Sequence, residues 1–134
     1  MSENQQAPYT VVYVDDEELA RKYFARSAGS DYEVLLAASA DEAIAILRCE
    51  GARVTILLTD FRMPGRHGGE LLRQVAQEYP QIVRILVTAY ADKDALLEAG
   101  HSGEVFRILE KPLGVAKVRE VLAAATAASG ARPT

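Results

Sequence analysis

Apolar and polar positions alternate along this chain in two distinct rhythms. Five short runs rich in β-branched residues, at positions 10–14, 33–37, 54–58, 84–87 and 105–109, are nearly continuous in hydrophobicity. Continuity rather than strict alternation is the mark of strands buried on both faces of a parallel sheet. Between them the apolar residues recur at helical spacing. Leu19, Ala20, Tyr23, Phe24 and Ser27 fall on one side of a first helix, with Glu18, Arg21, Lys22 and Arg26 opposite. Ser39-Ala40-Asp41-Glu42 reads as a capping box ahead of Ala43, Ile44 and Leu47, and Gly51 follows as a stop signal. Leu71, Leu72, Val75 and Ala76 mark a third helix that Tyr79-Pro80 closes. A shorter fourth helix is predicted over 92–99, ending at Gly100. Val115, Val118, Val121, Leu122 and Ala125 define the last, with Lys117 and Glu120 facing outward.

The order is strand, helix, five times over. With short loops and right-handed crossovers this predicts an α/β fold, a three-layer (βα)5 sandwich around a parallel sheet. The common doubly wound order for five strands is 2-1-3-4-5, with its switch point between strands 1 and 3. The organisation expected is a flexible tail over 1–8, one domain over 9–128 and a second tail over 129–134.

Composition narrows the partners. Fifteen Lys and Arg against nineteen Asp and Glu give a net charge of −4 over 134 residues, and the basic residues are scattered. That argues against direct nucleic-acid binding or an anionic membrane surface, both of which need a basic patch. Hydrophobic residues at 49% and charged ones at 25% describe an ordinary globular chain. A single cysteine, Cys49, excludes an internal disulfide and fits a reducing compartment. No apolar run approaches the roughly 18 residues of a membrane span. The first eight residues carry neither a basic nor an apolar signal region, so a cytoplasmic location is expected.

In a doubly wound sheet, ligands bind beyond the carboxyl ends of the strands at the switch point. Strand 1 ends in Asp15-Asp16, strand 3 in Asp60, strand 4 in Thr88 and strand 5 in Lys111-Pro112. Three carboxylates thus converge between neighbouring strands, and their repulsion must be offset. A hard divalent cation with oxygen ligands does this, Mg²⁺ being the natural choice. Lys111 adds a point positive charge and Thr88 a hydroxyl. Each residue alone has an ordinary reading: the acidic run Asp15–Glu18 complements a helix N-terminus, Asp60 forms a turn, and Lys111-Pro112 is a solvated turn. Chance seldom assembles all of them at the ends of the right strands. Other sites fall away. Gly65-Arg66-His67-Gly68-Gly69 fits neither phosphate-loop pattern and follows the wrong strand. His67 and His101 lack metal-like spacing and read as exposed, Cys49 reads as a buried or half-buried helix residue, and Ser27, Ser30 and Ser102 sit in no nucleophile context.

The stretches Val12-Tyr13-Val14-Asp15-Asp16-Glu17, Leu58-Thr59-Asp60-Phe61-Arg62-Met63-Pro64-Gly65, Leu86-Val87-Thr88-Ala89-Tyr90 and Leu109-Glu110-Lys111-Pro112 resemble the receiver domain of two-component response regulators, a flavodoxin-like family. The resemblance spans about 9–128. It implies that Asp60 is the phosphoacceptor, and that Asp15, Asp16, Asp60 and the backbone carbonyl of Arg62 hold Mg²⁺. Thr88 would be the switch hydroxyl, and Lys111 would pair with the acceptor and then with the phosphoryl group. A cis Lys111-Pro112 bond is also implied. So are a phosphohistidine donor, on a sensor histidine kinase or histidine phosphotransfer protein, and a switched face formed by helix 4, strand 5 and helix 5. That face would serve a downstream effector protein, a missing output domain or a homodimer, since 134 residues leave no room for an output module.

Three positions depart from or tune that pattern. Ile108 fills the place of the usual aromatic switch residue, and an aliphatic chain cannot swing a ring between rotamers. Arg62 and Tyr90 occupy the positions that tune phosphoryl lifetime, and this bulky pair is expected to restrict attacking water. Gly114 is a weak start for the last helix, and the motif 107–112 is similar to receivers found ahead of larger output or cyclic-dinucleotide domains. Two other classes compete. A phosphatase of the haloacid dehalogenase kind needs a D-x-D motif after strand 1, which Asp15-Asp16-Glu17 breaks. A degenerate receiver, used as a phosphorylation-independent interaction or dimerisation module, is opposed by the intact Asp15, Asp16, Asp60, Thr88 and Lys111.

Overall fold

The computed structural model describes residues 9–89 and 105–130. Its elements run β1 (Tyr9–Val14), α1 (Glu18–Ala28), β2 (Tyr32–Ala37), α2 (Ala40–Glu50), a 3-10 turn (Gly51–Arg53), β3 (Val54–Asp60), α3 (Gly68–Glu78), β4 (Val83–Thr88), β5 (Arg107–Glu110) and a C-terminal helix (Val115–Ser129). All strand pairings are parallel, and the order is β2-β1-β3-β4-β5, the predicted flavodoxin-like arrangement. The predicted helix over 92–99, Tyr90 and His101 lie outside the described residues. Among the described residues, no helix is long and apolar enough to cross a membrane.

The unbroken hydrophobicity of the strands has its reason in the two layers they separate. Val12, Val14 and Leu57 point into one apolar cluster with Ala43, Ile44 and Leu47 of α2 and Leu71, Leu72 and Val75 of α3. Val11, Tyr13, Ile56 and Leu58 point into the other, against Phe24 and Ala28 of α1 and Val118, Val121, Leu122 and Ala125 of the C-terminal helix. Successive side chains of one strand are therefore all buried, on opposite faces. The ends of β1 and β3 are in step, with Val14 opposite Thr59. The residues that follow, Asp15 and Asp60, thus emerge side by side.

Ser39 caps α2 as expected, its Oγ accepting from the Glu42 amide at 3.1 Å, but the reciprocal half of the box is displaced by one residue: Glu42 Oε1 accepts from the Ala38 amide at 2.7 Å rather than from that of Ser39. Four readings need correction or refinement. Gly51 stops α2 as expected, and it does so with φ −55°, opening the 3-10 turn. Its side-chain hydrogen is needed because a Cβ would lie 2.6 Å from the Tyr79 ring. Cys49 is exposed, on the outer side of α2. Leu19 and Tyr23, placed by spacing on the buried stripe of α1, are 80% and 48% exposed. Buried contact along α1 comes instead from Phe24, Ser27 and Ala28, in its C-terminal half.

His67 is the fourth correction. It is half-buried and is the N-cap of α3: its Nδ1 accepts from the amides of Gly69 at 3.0 Å and Glu70 at 3.3 Å, while the Glu70 carboxylate accepts from the His67 amide. The ring also packs against Phe61, with centroids 4.9 Å apart. This cap seats the start of α3 directly beneath the end of β3. Gly68 donates its amide to Phe61 O at 2.8 Å, and a Cβ there would overlap the carbonyl oxygen of Asp60. The obstacle is backbone, which cannot step aside as a side-chain tip does. Gly68→Ala is therefore expected to destabilise the fold by about 1–3 kcal/mol, the usual range for overpacking. Urea unfolding at neutral pH measures it, and an unchanged midpoint would contradict the close approach.

Candidate functional site

Four strand ends deliver the site. Asp15 and Asp16 follow β1, Asp60 closes β3, Thr88 closes β4, and Lys111 follows β5 in a loop whose Lys111-Pro112 peptide is cis. Backbone hydrogen bonds lock these ends together: Asp15 N to Ala37 O at 3.0 Å, Phe61 N to Val87 O at 2.9 Å and Lys111 N to Thr88 O at 2.8 Å.

The carboxylates of Asp15, Asp16 and Asp60 converge so that one oxygen from each lies within 4.8 Å of the others. Asp15 and Asp60 are buried, Asp16 exposed. Lys111 bridges the two buried acids, with Nζ 2.8 Å from Asp15 Oδ2 and 3.1 Å from Asp60 Oδ2. Asp15 is held further by the Glu17 amide on Oδ1 at 3.0 Å and the Tyr13 hydroxyl on Oδ2 at 3.0 Å. Arg21 donates to its main-chain oxygen at 2.7 Å.

The electrostatics follow from this crowding. Burial pushes the Asp60 carboxyl up to about 6, the nearby Asp15 charge adds to the rise, and Lys111 works against it. Burial also opposes the charge of Lys111, yet its bonds to Asp15 and the field of Asp60 outweigh that and hold its pKa above the usual lysine value. The Tyr13 phenol is raised by burial and then by the Asp15 charge. One ammonium thus does not fully neutralise the acids. Hard oxygen donors in excess of positive charge, open to solvent on the Asp16 side, suit a small divalent cation such as Mg²⁺. Asp15, Asp16 and Asp60 are the side chains able to hold one. Arg62 stands two residues beyond Asp60 on the same loop, its side chain exposed and its guanidinium carbon 5.1 Å from the Phe61 ring centroid.

Thr88 is 1% exposed, and its Oγ1 finds no hydrogen-bond partner among the described residues. A buried hydroxyl left unpaired is costly, so it is poised to bond an acceptor that enters the site. Ile108 is half-buried and packs on the cluster that includes Leu86 and Phe61. Beside the acids, a cavity of about 630 Å³ opens between α1 and the loop after β5, lined by Leu19, Tyr23, Phe24, Pro112 and Leu113.

Residues 11–123 match the family model of the response regulator receiver domain. The chain belongs to that family. Receiver domains are signalling domains of two-component systems, and the acids, Thr88 and Lys111 lie at the strand ends that the pattern of apolar runs assigned to them. Relatives extend the picture. The chain is 35% identical over 103 residues to the hydrogenase transcriptional regulatory protein HoxA of Cupriavidus necator, an alignment covering 77% of this chain and 21% of that protein. It is 35% identical over 103 residues to the DNA-binding transcriptional regulator NtrC of Salmonella typhimurium, covering 76% of this chain and again 21% of the relative. The chain thus spans about a fifth of the length of these relatives. Among solved structures, the signal receiver domain of an HD domain-containing protein from Pseudomonas fluorescens superposes with a TM-score of 0.84 at 24% identity, covering 90% of this chain and 96% of that one.

Sequence reasoning passed over the residues that support these acids. Tyr13 looked like one more apolar strand position, His67 an idle surface ring, and Gly68 part of a rejected glycine motif. The signal for His67 was its spacing: His67 and Glu70 stand as N-cap and third residue, the reciprocal pattern of a capping box with an unusual first member.

The raised Asp60 carboxyl has a consequence for stability. The folded chain holds that proton to about pH 6, the unfolded chain only to about pH 4, so stability falls as pH rises through that window. Asp60→Asn removes the penalty. Without divalent cations the variant is expected to exceed the wild type by about 1–3 kcal/mol above the window, and by nothing below pH 4. Urea unfolding across a pH series measures this; a difference independent of pH would contradict it.

Proposed function

We propose that this domain is a phosphorelay switch in which Asp60 accepts a phosphoryl group from a phosphohistidine on a sensor histidine kinase or histidine phosphotransfer protein. The observation that carries the reading is the placement of Asp60 beside Asp15 and Asp16 with Lys111 bridging the buried pair. A carboxylate oxygen of Asp60 attacks phosphorus in line, the phosphorus–nitrogen bond breaks, and the imidazole leaves with its electron pair. Lys111 holds the acceptor carboxylate in place and sits where negative charge grows on the phosphoryl oxygens. Asp15, Asp16, Asp60 and the Arg62 carbonyl would hold Mg²⁺, which would supply further charge neutralisation. The Thr88 hydroxyl, lacking a partner, bonds the new phosphoryl oxygen and is drawn inward. That movement biases β5 and the C-terminal helix, with the segment over 92–99 that the sequence predicts as a helix, between two states. Its readers are a downstream effector protein, an output domain or a second copy of the chain. The exposed Leu19 and Tyr23 beside the acids offer an apolar patch for the donor protein.

The domain performs its own phosphotransfer and slow hydrolysis rather than turning over a metabolite. Ile108 implies that the switched face moves without an aromatic rotamer change, with packing of β5 against the core as the carrier. A phosphorylation-independent interaction module would not need Asp15 and Asp60 bridged by Lys111 with the Asp16 carboxylate beside them.

Incubation with Mg²⁺ and acetyl phosphate, followed by intact mass measurement, is expected to show one phosphoryl adduct in the wild type and none in Asp60→Asn. A folded wild type that gains no adduct would favour the phosphorylation-independent module. The same assay, followed as decay after the donor is removed, tests the rim. Arg62→Ala is expected to lose its phosphoryl group several-fold faster than wild type, because the side chain lying over Phe61 narrows the approach of water. Unchanged or slower decay would remove Arg62 from that role.

A further inference from the structure

Tyr13 is a buried polar side chain that the chemistry above leaves unused. The rest of this end of β1 is valine, with Val11, Val12 and Val14 fully buried. Tyr13 is buried as deeply, and its ring stacks on Phe24 of α1, with centroids 4.1 Å apart and planes 6° from parallel. Packing explains the ring and not the hydroxyl. That hydroxyl donates to Asp15 Oδ2 at 3.0 Å, the oxygen that also accepts from Lys111. Asp15 is wholly buried, and among the described residues its side chain has three donors: the Glu17 amide, the Tyr13 phenol and the Lys111 ammonium. The amide is fixed by backbone and the phenol by its stack. Lys111 is the donor that can leave, because it is shared with Asp60.

An acyl phosphate carries close to two negative charges on oxygens that lie beyond the original carboxylate. The ammonium between the two acids is drawn toward that larger charge. When Lys111 leaves, Oδ2 of this buried carboxylate loses one of its two donors, and the orientation in which Asp15 can face a divalent cation then depends on the donor that stays. We infer that Tyr13 is a positioning residue whose hydroxyl holds Asp15 in place while Lys111 moves from Asp15 to the phosphoryl group on Asp60. This rests on Asp60 being the phosphoacceptor.

Tyr13→Phe keeps the ring and its stack and removes the hydroxyl alone. Calorimetric titration with Mg²⁺ and beryllium fluoride, a phosphoryl mimic, reads the state in which Lys111 has moved. Tyr13→Phe is expected to bind the mimic about tenfold more weakly than wild type, equivalent to about 1.4 kcal/mol. In EDTA the two proteins should unfold at closely similar temperatures, because Lys111 still covers Asp15. Phe24→Leu, which loosens the stack and keeps the hydroxyl, should lower the unfolding temperature and leave mimic affinity near wild type. A second arm needs no mimic: Tyr13→Phe should lower the unfolding temperature far more on a Lys111→Met background than in wild type, since it then strips Asp15 of its last side-chain donor. Equal mimic affinity with and without the hydroxyl, or an equal cost on both backgrounds, overturns the proposal. Should the wild type bind no more mimic than Asp60→Asn, the phosphoacceptor reading falls, and the background comparison still decides whether Tyr13 holds Asp15.

Discussion

Like charges held close in a place that water reaches poorly are the constraint around which this domain is organised. Two buried carboxylates at adjacent strand ends, with a third at the surface, would drive the ends of β1 and β3 apart without Lys111 between them. The parallel sheet makes this arrangement affordable in structural terms. Its central strands are paired on both sides and packed on both faces, so the strand ends cannot drift to relieve the repulsion. What remains is a site with surplus negative charge and a fixed geometry. Such a site responds strongly to whatever adds or removes charge there.

The fold was legible because its information is local and periodic. The runs around Val12, Leu57 and Leu86 are apolar on both faces, and helical spacing returns between them, so the alternation of elements and the doubly wound order followed. The strand-end acids were legible for the same reason: once strands are placed, topology brings Asp15, Asp60 and Lys111 together. What stayed hidden depends on contacts that no spacing encodes. Leu19 and Tyr23 obey the helical period of α1 but line an open cavity with Pro112 and Leu113 instead of a packed core. Gly51 looks like a chain-reversing glycine and is a packing glycine, dictated by a tyrosine ring 28 residues later. His67 caps a helix by using a ring nitrogen where a hydroxyl or carboxylate is usual, so a pattern written in Ser, Thr, Asp and Asn passes it by.

The residues that position the acids come from every layer. Tyr13 reaches Asp15 from the face shared with α1, Gly68 meets Asp60 from the face shared with α3, and the backbone of Thr88 fixes Lys111 from β4. The site therefore samples the packing of the whole domain, and a change of charge at Asp60 is felt by elements on both sides of the sheet. This suits a module that covers only about a fifth of the relatives it matches, where a local chemical event has to be read at a distance.

Neighbouring residues of β5 belong to opposite halves of the interior: Ile108 packs with the α2 and α3 layer, Leu109 with the layer of α1 and the C-terminal helix. The strand is short, lies at the edge of the sheet, and carries Lys111 at its end. It is thus hinged to the rest of the sheet along one side only, through β4. Ile108 and Leu109, one residue apart, thus tie this edge strand to both halves of the interior at once, so the loop that carries Lys111 has no independent anchorage in either.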